Sequence, residues 1–173
     1  ANCFTLAEAT LGAGRGHECV FGVIMGTGCG GGIVFDGRVR AGPQSIAGEW
    51  GHMVIDPAGP PCYCGARGCV ETFISGGGLE ARFRATTGRS LQAQAIFAGA
   101  AAGEPACVAA IDEFHARFGQ ALANLINVLD PDIVVLGGGL SNVESLYTRG
   151  VAEVAKRVFS DELTQKRDVL LVE

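Results

Sequence analysis

Three cysteines and a glutamate fall within one ten-residue segment of the chain, CYCGARGCVE, at positions 62–71. Cys62, Cys64 and Cys69 have the spacing C-x-C-x4-C, and Glu71 follows two residues after the last of them. Thiolates at such spacings are typical zinc ligands, and a closed zinc site takes four nitrogen or sulfur ligands in a tetrahedron. The segment therefore predicts a metal site that needs one further ligand from elsewhere in the chain.

The fourth ligand has to come from one of three histidines. His17 falls in a predicted surface loop, and His115 lies within a predicted long helix. His52 stands ten residues before Cys62, in the same irregular segment. We therefore predict a structural zinc ion bound by His52, Cys62, Cys64 and Cys69. With all four positions filled by protein, such a zinc has no open position for catalysis.

Two other interpretations of these cysteines are weaker. A disulfide between Cys62 and Cys64 joins residues too close for relaxed geometry, and any bridge to Cys69 leaves an unpaired thiol. Inert buried thiols require an apolar segment, whereas residues 41–71 are rich in glycine and proline. The other cysteines lie in apolar or small-residue surroundings and are expected to be small buried side chains: Cys3, Cys19, Cys29 and Cys107.

A glycine cluster, GTGCGGG at 26–32, has the composition of a phosphate-binding loop. Its spacing fits G-x-G-x-x-G, but that fingerprint requires a helix directly after the loop. Here a strand follows, and then Asp36-Gly37, a dipeptide typical of a tight hairpin turn. The chain also contains no Gly-Lys-Ser/Thr for a Walker A loop. The cluster is therefore either an ordinary turn or a glycine hairpin whose N–H groups, with the Thr27 hydroxyl, face phosphate oxygens.

A second glycine cluster, Gly137 to Gly139, follows a predicted buried strand. Ligands of open α/β sheets bind beyond the carboxyl ends of parallel strands, which is where this cluster would lie. Alternatively, the three glycines only let a helix pack closely. The two clusters together are compatible with one nucleotide held between them, with its phosphates at the first cluster and its nucleoside at the second.

Hydrophobic periodicity and glycine or proline stops divide the chain into helices and strands. Predicted helices cover the N-terminus up to about residue 12 and residues 76–88, 91–103, 105–129 and 143–159. Predicted strands cover residues 19–26, the two arms of the hairpin, and residues 132–141 and 168–173. The segment 41–71 has no periodicity and is predicted to be a long functional loop. Strand–helix–strand alternation implies parallel pairing, so we expect a mixed α/β sheet covered by helices.

The composition limits the classes of protein to which the chain can belong. At 173 residues, 48% hydrophobic and with 27 glycines, the chain is long enough for one domain with a core. Its formal net charge is −5 and it has no basic run, which argues against a nucleic-acid partner. No apolar run approaches the ~18 residues of a membrane span, and no signal peptide is visible. Seven cysteines in such a chain favour a reducing cytoplasm.

Four segments together resemble the ROK sugar kinases and repressors, a family with the actin-like, hexokinase-type (RNase H-like) ATPase fold. The combination of Glu-x-Gly-His with the cysteine cluster is the most specific part of the resemblance. The segments are GTGCGGGI (26–33), AGEWGH (47–52), CYCGARGCVE (62–71) and DPDIVVLGGGLSN (130–142). The resemblance implies an α/β domain with a mixed sheet flanked by helices and a zinc-binding loop at 41–71.

The resemblance also implies roles for particular residues. The cysteines and the histidine would bind a structural zinc, in agreement with their spacing. The ligands of the reaction would be a hexose and ATP with Mg²⁺. Sugar contacts carry over to Glu49, His52 and Glu71. Nucleotide contacts carry over to Gly26, Thr27, Gly28 and Gly30 for the phosphates and to Gly137, Gly138 and Gly139 for the nucleoside.

One departure from the family pattern concerns the catalytic base. The family's aspartate lies in an Asn-Asp-Ala-Asn motif, and this chain opens with Ala1-Asn2, so the aspartate would immediately precede Ala1. The family's N-terminal Asp-x-Gly-Gly-Thr loop and its C-terminal glycine-rich strand and helix are not found. We therefore expect residues 1–173 to be the C-terminal domain of a longer kinase and to be inactive alone.

The resemblance leaves the substrate open among several hexoses. The segments CVETFISG and NVLDPDIVVLGGGLSNVESLY favour the fructokinase or mannofructokinase branch, so fructose is the first expectation. The alternatives within the family are N-acetylglucosamine kinase, glucokinase and a sugar-responsive transcriptional repressor. Retention of both glycine clusters favours a kinase over the repressor. The family's habit further implies a homodimer in the cytoplasm.

Overall fold

In the part of the chain that the structure describes, residues 1–160 and 170–172, a five-stranded sheet has the order β3-β2-β1-β4-β5. The structure is a computed structural model. The strands are β1 (Cys19–Met25), β2 (Cys29–Phe35), β3 (Arg38–Val39), β4 (Ile133–Gly137) and β5 (Leu170–Val172). β1 pairs antiparallel with β2 and parallel with β4, and β4 pairs parallel with β5. The predicted mixed sheet is confirmed.

Six α-helices accompany the sheet in the described residues. They are α1 (Asn2–Leu11), α2 (Glu71–Ile74), α3 (Gly76–Thr87), α4 (Ala93–Ala101), α5 (Pro105–Leu129) and α6 (Val151–Ala155). The helices predicted at the N-terminus and at 76–88, 91–103 and 105–129 are therefore confirmed to within about two residues at most ends. The hairpin turn is confirmed as well, since Asp36 and Gly37 have φ of 49° and 71° between β2 and β3.

The predicted helix at 143–159 is wrong in its extent. A 3₁₀ turn covers Gly139–Asn142, a π turn covers Leu146–Gly150, and α6 then ends at Ala155. Close packing against α5 accounts for the irregular turn, because a Cβ at Gly150 would lie 3.0 Å from the Phe118 ring. Of the predicted strand 168–173, β5 is observed and the other three residues lie outside the described residues.

The sheet separates two hydrophobic layers, as the alternation of side chains along a strand requires. Phe21, Val23 and Met25 of β1 point into the larger core beneath α3, α4 and α5. The intervening residues face α1, in a smaller cluster where Val20 packs near Phe4. β4 alternates in the same way, with Val134 and Leu136 in the larger core and Ile133 and Val135 in the smaller one.

Helix α5 forms the centre of the larger core and also holds the long loop in place. Its predicted apolar stripe is buried at Ile111, Phe114, Phe118 and Leu122 and half-buried at Val108, Leu125 and Leu129. On its loop-facing side, Arg117 forms a 2.7 Å ion pair with Asp56, and Gln120 donates to the Ile55 carbonyl.

No described helix is by itself long and apolar enough to cross a membrane, and only α4 and α5 joined across a 110° bend meet the length and composition required.

His115 of α5 gives a prediction for pH-dependent stability. It is 1% exposed, its Nε2 lies 3.0 Å from Ser145 Oγ, and burial together with the Arg149 cation lowers its pKa. The unfolded chain takes up this proton near pH 6.5, whereas the native state does so at lower pH. The free energy of unfolding should therefore fall as the pH drops through about 6.5, by up to about 1.4 kcal/mol per pH unit.

Urea denaturation of the wild type and of His115→Gln between pH 7.5 and 5.0 measures this contribution. We expect the variant to show a shallower loss of stability on acidification. His17→Gln, at an exposed histidine, is the matched control and should leave the slope unchanged. Equal slopes for wild type and His115→Gln would contradict the assignment.

Candidate functional site

The predicted metal ligands come together in the structure. The ligand atoms of His52, Cys62, Cys64 and Cys69 all lie within 4.8 Å of one another. Cys62 Sγ lies 3.5 Å from His52 Nδ1, and Cys64 Sγ lies 3.7 Å from Cys69 Sγ. A tetrahedral zinc with bonds of about 2.3 Å to sulfur and about 2.0 Å to nitrogen has edges of roughly 3.5–3.8 Å. The donor set therefore fits a zinc ion in both chemistry and spacing.

Short backbone interactions bring the four side chains into one place. His52 ends a 3₁₀ turn, Trp50–His52, and the next residues pair with the cysteine segment through a bridge between Val54 and Cys69. The Cys62 N–H donates to the Ala66 carbonyl and so closes a tight turn around Cys64. Sequence spacing found the ligands, but only this pairing shows how residues ten positions apart meet.

Burial and hydrogen bonding shift the pKa values of two of these thiols in opposite directions. Burial, followed by the neighbouring sulfurs, raises the pKa of Cys69 to about 12. Hydrogen bonding, first to the Ala66 backbone, lowers the pKa of the exposed Cys64. A buried thiolate at Cys69 is costly unless a cation compensates its charge, which is what a coordinated metal does.

Glu71 connects the cysteine segment to the first glycine cluster. Its carboxylate accepts a 3.1 Å hydrogen bond from the Cys29 N–H at the start of β2. Burial, and then the Glu71 charge, raise the pKa of the Cys29 thiol, which therefore stays neutral beside this carboxylate. Gly51 brings the histidine turn to the same place, since a Cβ there would lie 2.1 Å from the Cys29 carbonyl oxygen. Glu71 and His52 are thus both held against the beginning of β2.

Tyr63 lies among the residues predicted to contact sugar, although sequence reasoning did not select it. Its hydroxyl is 3.0 Å from His52 Nε2, and the two rings meet edge to face with centroids 5.1 Å apart. The Glu71 carboxylate is the largest cause that raises the pKa of Tyr63, and Glu49 contributes in the same direction. Glu49 is exposed at the end of the loop that precedes Trp50. His52, Tyr63 and Glu71 therefore form one polar spot, and Glu49 immediately precedes the turn that carries His52.

One face of β2 runs from Glu71 to the N-terminal end of α1. A Cβ at Gly28 would lie 2.7 Å from Glu71 Oε2, and a Cβ at Gly30 would lie 3.8 Å from Ala1 Cβ. Alternate residues share a face of a strand, so these two contacts are roughly 6.8 Å apart along it. A side chain at the Gly28 position would require the Glu71 carboxylate to shift, whereas the Gly30 position is in ordinary van der Waals contact with Ala1.

The two glycine clusters meet at a cleft of about 450 Å³ between α3, α4 and the turn after β4. Gly26 and Thr27 contribute from the first cluster and Gly139 from the second. The other four predicted nucleotide residues do not line it: Gly28 borders a neighbouring cleft, Gly30 faces Ala1, Gly137 packs on Phe4 and Gly138 packs on the Met25 backbone. Both clusters therefore contribute to this cleft, but only through Gly26, Thr27 and Gly139.

Sequence reasoning missed the part of this cleft that α3 and α4 supply. The Gly76 N–H donates to the Gly26 carbonyl at 2.7 Å, and the Gly77 N–H donates to the Thr27 carbonyl at 3.2 Å. Glu80 joins the two helices by accepting from the Ala93 N–H. A signal was present, because three glycines in the first turn of a helix are poor helix formers and indicate a close approach.

Gly138 gives a prediction for the nucleotide side of the site. Its φ of 85° and ψ of 177° are accessible essentially only to glycine, and a Cβ would lie 2.5 Å from the Met25 carbonyl oxygen. Gly138→Ala should therefore lower the free energy of unfolding by roughly 2–4 kcal/mol. Gly139→Ala is the control, because nothing lies within 4 Å of a Cβ there. Thermal unfolding of both variants measures the effect, and equal melting temperatures would contradict it.

Comparisons with known proteins agree on one family. A model of the ROK family matches residues 1–172. An N-acetyl-D-glucosamine kinase from Yersinia pseudotuberculosis is 43% identical over 157 residues, which cover 85% of this chain and 52% of the relative. The crystal structure of a ROK hexokinase from Thermus thermophilus superposes with a TM-score of 0.87 at 34% identity, over 99% of this chain and 59% of that chain.

A third comparison is a solved structure with bound ligands. A ROK family glucokinase from Streptomyces griseus, in complex with glucose and AMPPNP, superposes with a TM-score of 0.85 at 28% identity, over 99% of this chain and 61% of that chain. The fold is therefore the actin-like fold of these ROK structures, and the predicted fold class is confirmed. The chain belongs to the ROK family. It spans about half the length of the curated relatives that it matches.

Proposed function

We propose that this chain is the sugar- and nucleotide-binding half of an ATP-dependent hexose kinase. The observation that carries the proposal is the hydrogen bond between the Glu71 carboxylate and the Cys29 N–H. It joins a carboxylate suited to sugar hydroxyls directly to the glycine turn suited to phosphates. A phosphoryl transfer needs these two binding functions side by side, because acceptor and donor must be aligned.

The proposed sugar site uses Glu49, His52 and Glu71. Carboxylates accept hydrogen bonds from sugar hydroxyls, and ionised acceptors make the stronger bonds. His52 turns Nδ1 toward Cys62 and Nε2 away from the metal cluster. A metal on Nδ1 leaves the proton on Nε2, so this nitrogen donates to a sugar oxygen. The same sugar hydroxyl can then donate a hydrogen bond to a carboxylate.

The proposed zinc is structural. Its ligands are His52, Cys62, Cys64 and Cys69, and when bound it supplies a cross-link that fixes the loop 41–71 and the ring of His52. This role is supported by the donor set and by the 3.5 Å and 3.7 Å edges of the cluster. With four protein ligands the ion offers no open position, so the chain's carboxylates perform the recognition.

The proposed nucleotide site is the cleft between the two glycine clusters. The phosphates lie at Gly26, Thr27, Gly28 and Gly30, and the nucleoside lies toward Gly137, Gly138 and Gly139. Mg²⁺ bound with ATP would spread the charge that develops on the transferred phosphoryl group. Support comes from the contribution of both clusters to one cleft of about 450 Å³, and this also favours a kinase over a repressor.

We place the catalytic base outside residues 1–173, on an aspartate immediately before Ala1. Such a carboxylate accepts the proton of the sugar hydroxyl as the γ-phosphoryl group is attacked. The contact of Ala1 with the Gly30 position supports this, because it places the start of α1 beside the strand whose first residue, Cys29, is bonded to Glu71. A purified 1–173 protein should therefore show no ATP-dependent turnover. Measurable turnover would contradict this assignment.

For the substrate we propose N-acetyl-D-glucosamine, ahead of fructose. The relatives favour this order, because the N-acetyl-D-glucosamine kinase from Yersinia pseudotuberculosis is 43% identical to the chain. The resemblance of individual segments favoured fructokinase, and the comparisons give that branch no specific support. A cytoplasmic homodimer remains a prediction, which light scattering of the purified protein can check for the oligomeric state.

A phosphorylation assay of the intact protein that contains this chain tests the proposed function. Fructose, mannose, glucose and N-acetyl-D-glucosamine should each be assayed with ATP and Mg²⁺. We expect the highest kcat/KM for N-acetyl-D-glucosamine. A higher value for fructose would reverse the order of substrates, and absence of phosphorylation for all four would overturn the kinase proposal.

A further inference from the structure

The backbone of Tyr63 is held between two proposed metal ligands, whereas its side chain is largely exposed to solvent. It lies between Cys62 and Cys64, both members of the metal cluster, so a bound metal fixes the chain on either side of it. Its side chain is 83% exposed, and its position therefore does not result from core packing. Even so, its hydroxyl is 3.0 Å from His52 Nε2. An exposed side chain therefore makes a specific hydrogen bond, while a bound metal would fix the backbone on both sides of it.

That hydrogen bond uses the donor assigned to the sugar. With Nδ1 of His52 facing Cys62 Sγ at 3.5 Å, the ring carries its proton on Nε2 when a metal is bound. A single N–H makes one good hydrogen bond, and in that tautomer Tyr63 Oη, 3.0 Å away, is the acceptor. A sugar oxygen at the same nitrogen must therefore replace the tyrosine oxygen.

The surroundings of the Tyr63 hydroxyl match those of a sugar hydroxyl. The tyrosine hydroxyl lies 3.0 Å from His52 Nε2, and Tyr63 and Glu71 border the same cleft. A hydroxyl group bound to an imidazole N–H beside a carboxylate has the pattern that the proposed site offers to a hexose. Tyr63 thus presents the same chemical group at the same place.

A cleft beside Tyr63 can accommodate its ring when the hydroxyl leaves His52. It borders a cleft of about 600 Å³ between the loop and α3. Pro60 and Pro61 form one wall of this cleft, and Ala81 and Ala85 lie on the α3 side. These apolar side chains suit the face of an aromatic ring. The tyrosine can therefore rotate away from the polar spot without losing apolar contact.

We propose that the Tyr63 hydroxyl is a placeholder for a sugar hydroxyl, bound to His52 in the sugar-free protein and displaced when the sugar binds. The inference rests on the proposed function, since it uses the same donor nitrogen. Tyr63 is in this sense a positioning residue that sets sugar affinity through His52. Because a hydrogen bond must be broken for each sugar bound, the placeholder weakens sugar binding by about 2- to 10-fold.

Tyr63→Phe in the intact protein tests this, because it removes the hydroxyl and keeps the ring. Sugar dissociation constants are measured by calorimetry without nucleotide, together with metal content and steady-state kinetics. We expect N-acetyl-D-glucosamine to bind about 2- to 10-fold more tightly, KM to fall by a similar factor, and kcat and metal content to stay unchanged. Tyr147→Phe, whose hydroxyl donates to the Ser141 carbonyl, is the matched control and should leave sugar affinity unchanged.

Each other result counts against the placeholder. Weaker sugar binding by Tyr63→Phe would make the hydroxyl a direct sugar ligand, and unchanged binding would show that it does not compete. Both results leave the proposed function intact, because the wild type still binds sugar. If neither protein binds any hexose of the panel, the proposed function fails and the placeholder fails with it.

Discussion

Cys69→Ser is expected to release the metal and to abolish measurable sugar binding. Cys69 is fully buried and pairs the cysteine segment with the histidine segment through its bridge to Val54. Loss of one of four ligands should weaken metal affinity by more than about 100-fold, the upper end of what loss of an outer-shell partner costs. Because metal binding and folding of such a segment are coupled, the loop 41–71 should lose its structure as well.

Metal analysis, limited proteolysis and sugar calorimetry on the purified variant measure these effects together. Cys107→Ser is the matched control, since Cys107 of α5 is equally buried but contacts Glu104, just before that helix and away from the cluster. The control should keep one zinc per chain and wild-type sugar affinity. A Cys69→Ser protein that retains stoichiometric zinc would show that the four residues are not a ligand set.

The second large effect is expected from Glu71→Gln in the intact protein. The amide oxygen of glutamine can still accept from the Cys29 N–H, so the variant should keep the local structure. It loses the charge that strengthens hydrogen bonds from sugar hydroxyls, which are each worth about 1.5–3 kcal/mol to an ionised acceptor. The kcat/KM for the sugar should fall by roughly 10- to 150-fold, with the affinity for ATP little changed.

Steady-state kinetics with each substrate varied in turn separates the two affinities. Glu144→Gln, at an exposed glutamate beyond the second glycine cluster, is the control and should have no effect on sugar kinetics. A loss of ATP affinity larger than the loss of sugar affinity would mean that Glu71 serves the phosphate turn instead. Wild-type kinetics for Glu71→Gln would remove this residue from the sugar site.

Much of the site follows from local patterns in the sequence. The spacing of the cysteines and the position of His52 identified a set of side chains that the structure gathers within 4.8 Å. The 25 residues of α5 begin at Pro105 and end at Leu129 as predicted, because proline starts a helix well and the residue before Pro131 avoids the helical region. Signals of this kind depend on a few neighbouring residues, so they can be recognised from the sequence alone.

The rest depends on contacts between distant segments. Nothing near Tyr63 in the sequence indicates that its hydroxyl meets His52, since that contact needs the metal loop to close first. The helix predicted at 143–159 is irregular because Gly150 packs on Phe118 of α5. Helical periodicity in the sequence does not reveal this contact. The role of the glycines of α3 likewise depends on a distant segment, since Gly76 bonds to Gly26.

We expect a metal ion bound by His52 and the three cysteines of the loop 41–71 to hold His52 and Glu71 in position to bind a sugar. Calorimetric titration of N-acetyl-D-glucosamine into matched zinc-loaded and zinc-depleted samples of the intact protein tests it most directly. We predict one zinc per chain in the loaded sample, sugar binding by that sample alone, and recovery of binding when zinc is restored. Equal sugar affinity with and without zinc would contradict this expectation.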